Sequence, residues 1–262
     1  RKGTSDKYSL ADTELPSTRR ISTGIESLDR VFGTSLTGQS GIRVPSVVLF
    51  GGAAGSGKTT LLLEVCANLS VTSRGALYVS TEQTKPEIRE TVERIGLSSR
   101  IEQLRVLTYF HHPLVELSDM MNVVRELNPV VVILDSLTKL RNKSGYDAGD
   151  GTGIFRDTRN ELKNVVKDAK AIANDAAKHN RAYILISHLN KNGEITGLKE
   201  LDHDVSAVLM MERYGKYRYV WCPEKNRWGE IGIKAWFEMT PHGLVETDPP
   251  QNKESCEPSS SS

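Results

Sequence analysis

Cysteine is scarce: Cys66, Cys222 and Cys256 are the three in 262 residues, and no two form a C-x-x-C pair. The odd count and wide spacing argue against a disulfide framework and a zinc site, and fit a reducing compartment. Long apolar runs are missing too. No stretch approaches the ~20 residues a membrane-spanning helix needs. Residues 1–20, "RKGTSDKYSLADTELPSTRR", lack the apolar core of a signal peptide. The expectation is a cytoplasmic protein with no membrane role. Neither charge sign is in excess, with 34 Lys and Arg against 33 Asp and Glu. Any hold on nucleic acid must therefore come from local basic patches. Internal repeats are absent as well.

What is present fits a soluble globular protein: 38% apolar and 26% charged residues, in a chain long enough for one sizeable core. Residues 1–20 read as a flexible lead-in, 21–247 as one domain, and 248–262, "DPPQNKESCEPSSSS", as a disordered tail. Strands are expected at 46–51, 75–81, 104–110, 129–136 and 181–188. Several are almost continuously apolar, as strands buried on both faces are. Helices are expected at 59–70, 85–96, 113–128 and 154–180. In the third, Leu114, Leu117, Met121, Val124 and Leu127 recur at helical spacing. This β-α-β-α alternation implies an α/β fold, a mostly parallel sheet flanked by helices. After residue 205, "SAVLMMERYG", "YRYVWCPEKN" and "IKAWFEM" read as strands joined by short turns, an antiparallel extension of that sheet.

One motif stands between an apolar strand and a helix: "GGAAGSGKTT". Gly52, Gly57, Lys58 and Thr59 satisfy G-x-x-x-x-G-K-S/T in the context it requires. Gly52, Ala53, Ala54, Gly55, Ser56, Gly57, Lys58, Thr59 and Thr60 are thus the candidate cradle for ATP phosphates. Lys58 reaches the β- and γ-phosphates and Thr59 ligates Mg²⁺. Asp135 closes "VVVILD" at the ligand-binding edge of such a sheet and is the second metal candidate. Glu82 and His188 end strands at the same edge. Glu82 is the candidate general base, since Ser136 follows Asp135 where many P-loop ATPases carry Glu. His188 is positioned to bond the γ-phosphate or relay its loss, although a strand-end His is more often structural. Lys225 and Arg227, in "EKNRWG", are two apart and share a face if extended. They are either a solvated basic turn or a finger reaching a neighbouring subunit's phosphate.

Taken together, "RISTGIESLDRVFG", "GGAAGSGKTTLLLEV", "YVSTEQT", "VILDS", "NGEITGLKELDHDVSAV" and "EKNRWGEIGIKAWFEMTPHGLVE" resemble the RecA-like ATPase core of the RadA/Sms family, relatives of DnaB-like ring motors. The likeness runs from about residue 20 to 246. It implies an ATPase that hydrolyses ATP with Mg²⁺, forms a homo-oligomer of hexameric ring type, and acts on single-stranded DNA as a helicase or branch-migration motor. Recombination or replication proteins would be its partners. By the same likeness Glu82 matches the catalytic glutamate and His188 the γ-phosphate sensor of ring helicases. Lys58 matches the P-loop lysine, and Lys225 and Arg227 the basic pair acting in trans. Two loops would face a DNA channel, offering Lys139, Arg141, Lys143, Lys191 and Lys199. The family's KNRFG reads KNRWG here. Its four-Cys zinc module and protease-like domain are not in this text, and "TSLTGQSGIRVPS" is longer than its counterpart. Two other readings stay open: a filament-forming or regulatory RecA-like ATPase, and a P-loop small-molecule kinase.

Overall fold

The computed structural model describes residues 19–109, 115–136, 140–141, 158–189 and 204–251. Residues 1–18 and 252–262, which hold most of the expected lead-in and tail, lie outside the described residues. In chain order the elements are β1 (Arg19–Ile21), α1 (Glu26–Phe32), β2 (Ile42–Val44), β3 (Ser46–Gly52), α2 (Lys58–Ser70), β4 (Ala76–Ser80), α3 (Lys85–Arg94), β5 (Arg105–Thr108), β6 (Val115–Glu116), α4 (Leu117–Leu127), β7 (Val131–Asp135), β8 (Leu140–Arg141), α5 (Thr158–His179), β9 (Ala182–His188), β10 (Ala207–Tyr214), β11 (Tyr217–Trp221), β12 (Lys234–Thr240) and β13 (Gly243–Thr247).

Nine strands make one sheet in the order β13-β12-β11-β10-β3-β9-β7-β4-β5. Pairings from β10 through β5 are all parallel. Those from β10 through β13 are antiparallel. The expected RecA-like architecture holds, with one refinement. β10 pairs antiparallel with β11 as expected and also lies parallel to β3, so it joins the extension to the parallel part of the sheet.

Alternate strand residues feed two cores. Val48 and Phe50 of β3 join Leu61, Leu62 and Val65 of α2. Val47 and Leu49 join Met120 and Val124 of α4 and Ala169 and Ile172 of α5. Both faces of β3 are thereby dry, which is why its sequence is apolar without alternation. The other face of β11 to β12 puts Val220, Ala235 and Phe237 into the first core. α4 buries Leu117, Met121 and Val124 as the spacing requires, while Leu127 stays at the rim. It begins at Leu117 rather than 113, because Val115 and Glu116 pair with β8.

The lower edge, where the parallel strands begin, is closed by side chains. α4 and α5 are followed by Asn128 and Asn180 in the left-handed region, which asparagine tolerates. Arg74 donates to the carbonyls of Asn128, Pro129, His179 and Asn180 at 2.9–3.2 Å. It thus supplies donors for carbonyls that the helix ends leave over. No helix among the described residues is long and apolar enough to cross a membrane.

Candidate active site

β3 runs into the glycine-rich loop at the upper edge. Gly57 precedes α2 with φ 108°, a conformation other residues adopt at a penalty. A Cβ there would lie 3.0 Å from Met239 Cε of β12 and 3.2 Å from Met211 Cε of β10, so these two strands buttress the loop from behind. No side chain caps α2 and its first turn carries no acid. Its leading N–H groups are therefore available to an anion. Lys58, 5% exposed, folds back so that Nζ donates to Gly52 O at 2.6 Å and Ala53 O at 2.9 Å. Ser56 Oγ is buried with no hydrogen-bond partner among the described residues. A buried orphan hydroxyl beside an uncapped helix start fits phosphate oxygens.

Strand order does the assembling. β3, β9, β7 and β4 are consecutive neighbours. Their upper ends bring the loop, His188, Asp135 and Glu82 together. Oxygen or nitrogen atoms of Glu82, Asp135 and His188 all lie within 4.8 Å of one another. Asp135 Oδ2 accepts from Thr59 Oγ1 at 3.0 Å and from Tyr78 OH at 2.7 Å. Burial raises the Asp135 pKa, and those two donors pull it back. Burial lowers the Lys58 pKa, the carboxylates of Asp135 and Glu82 raise it, and Arg213 lowers it again. The Tyr78 phenol, fully buried against Asp135, is pushed well above its ordinary value, so it serves as a donor. Hard oxygens on Thr59 and Asp135 fit Mg²⁺. Glu82 Oε1 accepts from Ser136 Oγ at 3.0 Å and lies 3.1 Å from His188 Nε2.

The basic pair is not brought to this edge. Lys225 and Arg227 sit in the β11–β12 connection, off the strand, joined to β10 by a bridge between Asn226 and Ala207. Arg227 N donates to Ser206 O, and Ser206 N donates to Val47 O. Val47 lies five residues before Gly52, about 16 Å at ~3.3 Å per residue. That exceeds the reach of an arginine side chain. Asn226 Nδ2 donates to Val31 O at 3.2 Å, and the Arg43 guanidinium lies 3.3 Å over the Trp228 ring. The tryptophan that replaces phenylalanine in this motif is thus a cation–π partner that stiffens the turn. Lys139, Lys143, Lys191 and Lys199 lie outside the described residues, and Arg141 is described only as a backbone position in β8.

Sequence reasoning missed Tyr78, Arg213 and Arg218. Tyr78 had a signal, since a tyrosine inside a buried strand needs a partner for its hydroxyl. The arginines had none, because their position depends on β10 lying parallel beside β3.

A family model described as an AAA domain matches residues 41–194. DNA repair protein RadA of Mycobacterium tuberculosis is 33% identical over 238 residues, covering 90% of this chain and 45% of that protein. The protein of the same name from Campylobacter jejuni is 34% identical over 250 residues, covering 92% and 49%. That of Haemophilus influenzae is 29% identical over 242 residues, covering 92% and 48%. The chain spans about half the length of these curated relatives. Among solved structures, a KaiC-like protein from Pyrococcus horikoshii superposes with a TM-score of 0.62 at 18% identity, covering 88% of this chain and 100% of that one. The two share a fold.

Proposed function

Because the chain belongs to the AAA domain family, and the matched span holds the P-loop, Glu82, Asp135 and His188, we propose that it is an ATP-driven motor on single-stranded DNA. In this reading it works as a hexameric ring in which each ATP site is completed by the neighbouring subunit. The triphosphate lies on the P-loop, and Lys58 turns from the Gly52 and Ala53 carbonyls to the β- and γ-phosphates. Thr59 and Asp135 would hold Mg²⁺, which would supply positive charge to offset that of the phosphates. Glu82 orients the attacking water and accepts its proton, with Ser136 and His188 fixing the carboxylate. Arg227 and Lys225 of the next subunit meet the charge that develops on the transferring group. DNA phosphates are gripped by Lys139, Arg141, Lys143, Lys191 and Lys199, so affinity falls steeply with salt. The relatives named for DNA repair support a role in recombination or repair.

The interfacial site rests on one observation, the opposite-edge position of Arg227 relative to its own Gly52. A mixing experiment tests it. Lys58→Ala keeps a good finger, and Arg227→Ala keeps a good P-loop. Each alone should be nearly inactive, since loss of a finger lowers turnover ~10³–10⁵-fold. Co-assembled, they should regain part of the ATPase activity, measured by phosphate release. Demonstrated co-assembly with no recovery at any ratio would exclude action in trans.

A further inference from the structure

The P-loop carries a second cation besides Lys58. Arg213, on β10, donates from Nη2 to Ala54 O at 3.0 Å. Its Nη2 also lies 2.8 Å from where a Cβ of Gly55 would be, so the guanidinium rests directly against the loop. Gly55, at φ +65°, leaves the room for it. Directly across the β10–β11 ladder from Arg213 stands Arg218. Like charges placed opposite each other in a sheet are destabilising. Arg218 is held by the carbonyls of Gly215 and Tyr217, at 2.9 and 2.6 Å, while its Nε is buried with no hydrogen-bond partner among the described residues. Burial and the Arg213 charge both push its pKa down. Among the described residues neither arginine has a carboxylate within ion-pair distance, unlike Arg30, Arg89 and Arg181.

Two cations, Lys58 and Arg213, thus bond to carbonyls of one uncapped loop, and a third, Arg218, stands behind Arg213 across the ladder. The carboxylates of Asp135 and Glu82 act on Lys58, whereas Arg213 and Arg218 repel each other with no carboxylate beside them among the described residues. We infer that Arg213, backed by Arg218, is a second contact within the same subunit for the phosphate chain of a nucleoside di- or triphosphate. The inference rests on the nucleotide-binding reading above. A guanidinium has five N–H donors in a fork, so one can stay on Ala54 O while others turn to phosphate oxygens. This contact differs in kind from that of Arg227, since Arg213 lies on its own P-loop and serves binding.

Titration of a fluorescent ADP analogue, with unlabelled ADP as competitor, tests this without turnover. Arg213→Ala should weaken ADP binding roughly 10-fold or more, in the range of a charge-assisted hydrogen bond. A merely structural role, holding Ala54 O, is separated by two further variants. Arg213→Gln keeps an N–H for that carbonyl and drops the charge; Arg213→Lys keeps the charge. The inference expects Lys to restore most of the affinity and Gln to restore little. Rescue by Gln but not Lys, or wild-type affinity in Arg213→Ala, overturns it. Lys58→Ala run in parallel keeps the two readings apart. If Lys58→Ala abolishes ADP binding while Arg213→Ala does not, only the Arg213 assignment fails. If Lys58→Ala also binds ADP normally, the nucleotide site itself is wrong.

Discussion

At the edge where the parallel strands begin, Arg181 is 1% exposed and its charge is met inside the protein. Its Nη1 donates to Val124 O at 2.9 Å, and its Nε lies 3.3 Å from Asp175 Oδ2. Asp175 in turn accepts from Tyr183 OH at 2.6 Å and lies 2.8 Å from His179 Nδ1. At the edge where the same strands end, Lys58 donates to the backbone carbonyls of Gly52 and Ala53, and Arg213 and Arg218 face each other with no acid in ion-pair distance among the described residues. One edge spends its buried polar groups on closing the fold. The other holds charge that only a ligand completes. Both lie on the same strands, so the contrast separates stability from chemistry within one sheet.

The largest expected effect that would break this contrast is at the upper edge. Glu82→Gln keeps the shape and an acceptor for Ser136 and His188 but loses the carboxylate. ATPase turnover should fall ~10²–10⁴-fold, the range for loss of a general base. Nucleotide binding and the thermal midpoint should stay near wild type. A stable, fully active Glu82→Gln would remove Glu82 from the chemistry. A variant that unfolds instead would make the upper edge structural too.

At the lower edge the reverse is expected. Asp175→Ala leaves the Arg181 guanidinium buried beside an empty carboxylate position. Breaking a buried pair in this way destabilises by ~3–5 kcal/mol. Urea unfolding measures the loss, and turnover per folded molecule at 25 °C should be unchanged. A loss below about 1 kcal/mol would place the pair among ordinary surface ion pairs, and the lower edge would no longer count as a charge-locked closure.

The sequence made the upper edge legible and left the lower one dark, for a physical reason. A phosphate cradle needs particular residues at fixed offsets, so "GGAAGSGKTT" announces itself. Once it marks one strand end as active, parallel pairing carries Glu82, Asp135 and His188 to the same edge. Strands β3, β4, β7 and β9 were readable because burial on both faces forces an unbroken apolar run. Asp175, Arg181 and Tyr183 offered no such pattern. Their partnership depends on where α5 ends against β9, and a helix with Asp and a strand opened by Arg read as solvated ends. The direction of β10 was hidden for a related reason. Alternation is the same in parallel and antiparallel strands, and the tight turn revealed the antiparallel neighbour β11 but not the parallel neighbour β3. Lys225 and Arg227 were found by motif, but their place at the far edge needed the β10 register. The short elements β1, α1, β2 and β13 had too few residues to show a period.

The smallest effect sharpens the contrast at the upper edge itself, where two helices begin. α2 opens without a side-chain cap or an acid in its first turn. α3 opens two residues after Glu82 with a full capping box. Glu87 N donates to Thr84 Oγ1 at 3.4 Å, and Thr84 N donates to Glu87 Oε2 at 2.7 Å. Pro86 in its first turn removes one more orphan N–H. If upper-edge groups are kept free only where a ligand will sit, the α3 cap is purely structural despite its nearness to the candidate base. Thr84→Ala should then destabilise the protein by about 1 kcal/mol, the usual loss for a removed N-cap. Thr84→Asn, another good cap, should recover most of it, and both variants should keep wild-type turnover because Glu82 is anchored by Ser136 and His188 rather than by α3. Unfolding curves and steady-state ATPase rates on the two variants decide it. A turnover loss in Thr84→Ala that Thr84→Asn also repairs would mean that the α3 start helps to aim Glu82, and that the division between fold-closing and ligand-waiting groups does not extend to this helix.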